Sequence, residues 1–201
     1  MKQKLPLPVY ECIEVGTLKS KDGEEFTVLA GLDKGLVEQL KTKSLDEGDI
    51  ELQKNTSDRK RFGEGSYEEW YSKERTPFAL VDKSKALAAI AWFGPKPLGR
   101  KSLRYLSEAE LAKEGAQDKT QWHTIVYRSY DPFRGRGLMT RFVQFALDTY
   151  RSAYPEAKFW AGMSTDNPAS IGLASKLGFI VREDLADPEA HWMAMVLEPR
   201  Q

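Results

Sequence analysis

Apolar positions along this chain keep two rhythms, and the second half keeps them more strictly than the first. Residues 1 to about 76 are polar and charge-rich. Within them, Val9–Val15 and Phe26–Ala30 have the texture of short strands, separated by a Lys21-Asp22-Gly23 turn. Leu36, Val37 and Leu40 recur at helical spacing inside Gly35–Lys43, and Tyr67–Tyr71 reads as part of a second short helix. Phe78–Val81 and Ala86–Phe93 predict two strands joined by the polar link Asp82-Lys83-Ser84-Lys85. Gly94–Gln121 is loop-like, with one helical stretch around Ser107–Lys113, where Ser107 and Glu110 have capping-box spacing. Trp122–Tyr130, rich in aromatic and β-branched residues, predicts a strand. A glycine-containing segment then leads into a helix on which Leu138, Phe142, Phe145 and Ala146 share one face, and Pro155 stops it. Lys158–Met163 predicts a strand. Asn167 is placed as an N-cap with Pro168 at the first helical position, and Gly178 is placed to end that helix. Phe179–Arg182 and Trp192–Leu197 complete a mixed α/β or α+β pattern.

Composition narrows the classes open to such a chain. Its 201 residues suit a single domain. Thirty Lys and Arg balance thirty Asp and Glu, which argues against a dedicated nucleic-acid or membrane-surface binder, whose affinity would rest on a basic surplus. The N-terminus has no apolar stretch long enough for a signal peptide, and Ala86–Phe93 is too short to span a bilayer, so the expected location is the cytoplasm. The single cysteine, Cys12, cannot form an internal disulfide and reads as a small buried hydrophobe. With His123 and His191 the only histidines, no metal centre is expected. Arg59-Lys60-Arg61 reads as a solvated face, Gly63-Glu64-Gly65-Ser66 as a flexible turn, and His191 beside Trp192 as structural. Trp70, Tyr71, Trp92, Trp122 and Trp160 suit either a cleft or the core.

Two segments carry candidate chemistry. Arg134-Gly135-Arg136-Gly137-Leu138-Met139 joins a strand to a helix. Its glycines allow a sharp turn and close approach of the backbone to a ligand, the first helical amides lack internal partners, and the arginines add cationic donors. That combination suits a diphosphate. It is not a Walker loop, since no Lys-Ser/Thr follows, and it lacks three-glycine dinucleotide spacing. Downstream, Asn167, Ser170 and the run Lys176-Leu177-Gly178-Phe179 follow the next strand. Together the two segments resemble the acetyl-CoA-binding half of the GNAT (general N-acetyltransferase) family. That family has Gln/Arg-x-x-Gly-x-Gly/Ala in the first position and an Asn, a small residue and a Lys-Leu-Gly-Phe ending in the second. Met139 departs from the small residue expected at its position. The resemblance covers Phe78 to Leu197, and residues 1–76 match it loosely.

The resemblance implies a single acyl-CoA N-acyltransferase-like domain. Its mostly antiparallel mixed sheet would have splayed central strands flanked by helices, with 1–76 shaping the acceptor side and 78–197 binding acetyl-CoA. Pantetheine would pair like an added strand along Tyr127, Arg128 and Ser129. The diphosphate would meet Arg134, Gly135, Arg136, Gly137, Leu138 and Met139, and Asn167 and Ser170 would follow the pantetheine. The acceptor would be a small-molecule or peptide amine, attacking directly, with no nucleic acid, membrane or metal partner; a homodimer is left open. His123, at the start of the strand, suits a general base, against the plainer reading of a packed strand histidine. The family's usual acid, a tyrosine seven residues after the Asn, is Ala174 here, so the acid falls among Ser175, Tyr127 and Tyr130 or to water. A non-catalytic CoA-binding module is the alternative.

Overall fold

The computed structural model describes residues 4–101, 105 and 121–198. An eight-stranded sheet runs through it: β1 (Cys12–Lys19), β2 (Glu25–Gly31), β3 (Thr76–Val81), β4 (Leu87–Pro95), β5 (Trp122–Ser129), β6 (Lys158–Ser164), β7 (Phe179–Asp187) and β8 (Trp192–Leu197). Their order is β1-β2-β3-β4-β5-β6-β8-β7. Neighbours are antiparallel except β5 and β6, which are parallel because α4 (Met139–Ala153) carries the chain back between them.

One face of the sheet is covered by α4 and α5 (Pro168–Lys176). Phe142, Val143, Ala146, Leu147 and Tyr150 form the buried stripe of α4, spaced at the helical period, and pack over Phe78, Phe93 and Ile125. The other face is covered by α1 (Lys34–Leu45), α2 (Ile50–Asn55), a π-type turn at Arg59–Gly63 and α3 (Tyr67–Tyr71), which seal Ile90, Trp92 and Tyr130. β4 is sandwiched between these layers, and that explains its unbroken apolar run. Each large apolar side chain sealed in either layer contributes roughly 1.5–3 kcal/mol. A third cluster, of Trp160, Trp192, Ala194 and Val196, sits at the β6–β8 end.

Caps set the helix starts. Asp33 Oδ1 accepts from the Leu36 amide (2.8 Å), Asp49 Oδ1 from Leu52 (3.0 Å) and Asn167 Oδ1 from Ser170 (3.0 Å). Several sequence expectations shift. The first strand is Cys12–Lys19 rather than Val9–Val15, and β7 continues to Asp187. Helix α2 escapes the periodicity because Leu52 is its single buried residue. Gly63–Ser66 is no free turn, since Gly63 closes the π-type turn and Ser66 caps α3. Arg61 is not solvated, as its guanidinium reaches inward to Asp58. Cys12 is half-buried, with Sγ 3.9 Å from Asp33 Oδ2. The helix expected at Ser107–Lys113 lies outside the described residues. No described helix is long and apolar enough to cross a membrane.

Candidate active site

The site begins where a pairing stops. β5 follows β4 from Ala89↔Ser129 to Pro95↔His123, but it pairs with β6 only at Trp122↔Lys158, His123↔Phe159 and Thr124↔Trp160. β6 continues along β8 as far as Ser164↔Trp192. The central strands therefore diverge, and the rest of β5 has an open edge. The Tyr130 amide donates to Ala88 on the β4 side (3.0 Å), and the Lys158 amide of β6 donates to the Gln121 carbonyl (2.8 Å). Alternation along the strand then turns the main-chain groups of Tyr127 and Ser129 into the gap. Two carbonyls there are already engaged. Arg128 Nη1 donates to Tyr127 O (2.8 Å), and Arg134 Nε donates to Ser129 O (3.0 Å).

Beyond the strand the chain passes through Gly135 (φ 76°) and Gly137 (φ 72°), left-handed conformations that strain any residue with a Cβ. A Cβ on Gly137 would also fall 2.6 Å from Lys21 Cε, because the β1–β2 hairpin packs against this turn. The first amides of helix α4 lack intrahelical acceptors, as in any helix, and no side chain caps them. A cavity of about 380 Å³ lies here, lined by Gly135–Thr140, Ala169 and Lys176. A larger one, about 1050 Å³, fills the gap between the strands and shares Ser129, Met139 and Ala169 with the first.

A model of the acetyltransferase (GNAT) family matches residues 49–179. The chain belongs to that family. The GNAT domain of S. lividans PAT is similar in structure, with a TM-score of 0.61, 13% identity, and 90% of this chain and 95% of that one covered. So is a spermidine N-acetyltransferase from Vibrio cholerae solved with CoA and spermine (TM-score 0.57, 15% identity, 85% and 92% covered). A ribosomal-protein-S5-alanine acetyltransferase from Vibrio fischeri gives a TM-score of 0.54 at 14% identity, covering 84% and 85%. No curated protein matches the chain in sequence. The mixed, mostly antiparallel sheet with divergent central strands is thus the GNAT fold.

The residues singled out from the sequence fall into three groups in this GNAT chain. Tyr127, Arg128, Ser129, Arg134, Met139, Asn167 and Ser170 line the larger cavity; Gly135, Arg136, Gly137 and Leu138 line the smaller. Leu138 packs its side chain in the core, so its main chain is what it offers to the cavity. The arginines are committed elsewhere. Arg134 Nη2 donates to Asp49 (2.6 Å) and Nη1 to Asp131 (3.2 Å), while Arg136 pairs with Glu24 and lies on the Phe133 ring. Burial pushes the Asp49 carboxyl up, but the bonds from Arg134 and the Leu52 amide outweigh it and hold it below the usual range. Tyr127 Oη donates to Ser170 O (2.8 Å), a strut from β5 to α5, and burial pushes its pKa up to about 12.

His123 lines the larger cavity, with Nδ1 2.7 Å from Tyr150 Oη. Burial, and secondarily Arg75, lower its pKa below 6.5, so the imidazole is neutral at pH 7. Ser175 does not join it, being exposed on α5 and off both cavities. Ala174 is 1% exposed, packed in the core. Tyr130 is buried under Lys43 with its hydroxyl unpartnered, also off both cavities. The sequence reading passes over Lys176, although the Lys-Leu-Gly-Phe run held the signal for it. It also passes over Asp58, which nothing local marks.

Proposed function

We propose that the protein is an N-acetyltransferase that moves an acetyl group from acetyl-CoA to an amine by direct attack. The observation that carries this reading is the divergence of β5 from β6 after Thr124, beside an uncapped helix start entered through two left-handed glycines. An open strand edge and a row of unpartnered amides fit a ligand with an amide-bearing arm and a diphosphate. Tyr127 and Ser129 would pair with the arm, and the amides from Gly135 to Met139 would hold the diphosphate. Bound acetyl-CoA supplies the activated acyl group. Asn167, whose Oδ1 serves the α5 cap, keeps its side-chain N–H groups for the arm. His123, neutral because it is buried, would take the proton from the attacking amine directly or through a water.

Calorimetry with CoA and release of CoA thiol from acetyl-CoA across a panel of amines test the reading. Binding with amine-dependent thiol release is expected; no affinity for CoA would overturn it. One observation favours a second reading, a CoA-binding module without turnover. The position of the family's usual acid is the buried Ala174, and Ser175 beside it faces solvent. CoA binding without thiol release from any amine would select that reading.

A further inference from the structure

We infer that the acceptor is an amine that also carries an anionic group, a carboxylate or a phosphate ester, and that Arg128 together with Arg61 holds that group. The inference rests on the acyl-transfer reading and names its acceptor class.

Asp58, in the approach to the π-type turn, is 0% exposed. Its carboxylate accepts from Arg61 Nη1 (2.6 Å) and Arg128 Nε (2.9 Å), with Arg128 Nη2 at 3.5 Å. Both guanidiniums lie over the Trp92 ring, at 5.6 and 5.3 Å from its centroid. A buried carboxylate and an aromatic face thus hold two planar forks in fixed orientation. Both arginines line the larger cavity, with side chains 17% and 18% exposed. Of the five N–H donors of Arg128, two go to Asp58 and one to Tyr127 O, which leaves two.

The rest of the lining points the same way. Among the described lining residues, seven are Lys or Arg and the carboxylates are Glu51 and Glu74, while Arg61 and Arg128 share Asp58, and Arg134 pairs with Asp49, behind the lining. Both glutamates are exposed, while Arg61 and Arg128 are recessed. Recessed cations and peripheral acids suit a ligand that inserts an anion; a polyamine needs the reverse order. A guanidinium fork in a partly desolvated wall favours carboxylate and phosphate over neutral oxygens.

The test is calorimetry on CoA-saturated protein with phosphoethanolamine, β-alanine, ethanolamine and spermidine. At least one anionic amine is expected to bind roughly ten-fold tighter than ethanolamine, a margin of about 1.4 kcal/mol. Arg61→Gln is expected to remove most of that margin while ethanolamine and CoA affinities stay unchanged. Whether the phosphate or the carboxylate compound binds identifies the anion. The inference is overturned if ethanolamine or spermidine binds as tightly, if neither anionic amine binds at millimolar concentration, or if Arg61→Gln weakens every ligand alike. Thiol release from acetyl-CoA separates the two ideas. Tight binding of anionic amines without thiol release would sink acyl transfer and keep the anion subsite. Preferential turnover of spermidine would do the opposite. Should CoA fail to bind, the same four titrations on the protein alone decide the anion subsite.

Discussion

The two faces of the sheet offer different kinds of polar group to a ligand. Beside α4 and α5, the groups proposed to bind are main-chain: the open edge of β5, the left-handed glycines and the uncapped helix start. Beneath α1–α3, they are side chains drawn from distant parts of the chain, with Asp58 and Arg128 70 residues apart. A main-chain site depends on where the backbone turns, and short local patterns specify that. A side-chain site depends on which distant residues meet, so it can change while the fold stays the same.

The contrast breaks most severely at Asp58. Asp58→Ala strands two recessed guanidiniums, and unfolding in urea is expected to show a loss of about 3 kcal/mol. A loss below about 1 kcal/mol would mean that the cluster is not the anchor of that face. On the other side, Gly137→Val places a Cβ against Lys21 in a left-handed conformation. It is expected to weaken CoA binding by about 2 kcal/mol, on the order of 30-fold by calorimetry, and unchanged affinity would disprove a main-chain cradle. Tyr127→Phe removes the strut and leaves the Ser170 carbonyl without that donor, at a cost of about 1 kcal/mol in denaturant unfolding.

A smaller effect is expected with pH. The folded state holds His123 below its ordinary 6.5, so its neutral form is favoured in the native protein. That contribution is full above 6.5 and is lost as the pH falls toward the lowered native value. Melting temperature should therefore decline on acidification below 6.5, and less steeply in His123→Phe. An identical decline in both would remove the histidine from the account. Least of all, Ser175→Ala should leave CoA affinity and thiol release unaltered, because the hydroxyl is exposed and off the cavities; a clear drop in thiol release would return Ser175 to the catalytic group.

What the sequence revealed follows the same division. The turn glycines, the Asn167-Pro168 helix start and the Gly178 stop are local rules, each readable within a few residues. The divergence of β5 from β6 has no local signature, and the family resemblance supplied it. Arg134 was legible as a motif residue but not as the partner of Asp49, 85 positions away. Arg61 looked like one of three surface cations, since nothing near it in the chain announces a buried carboxylate. Helix α2 has one apolar anchor, and a single anchor makes no period.

The arginines on the open edge have one more consequence. An unpaired strand edge is a template for any extended polypeptide, and proteins ordinarily blunt theirs. Here the gap runs through the middle of the sheet, yet Arg128 and Arg134 already occupy the Tyr127 and Ser129 carbonyls. A strand laid along the edge must both give and take hydrogen bonds, and one lone pair on each of those two carbonyls is already taken. Molecules rich in acceptors lose nothing by comparison. The same guanidiniums therefore make this edge a better partner for acceptors than for donors.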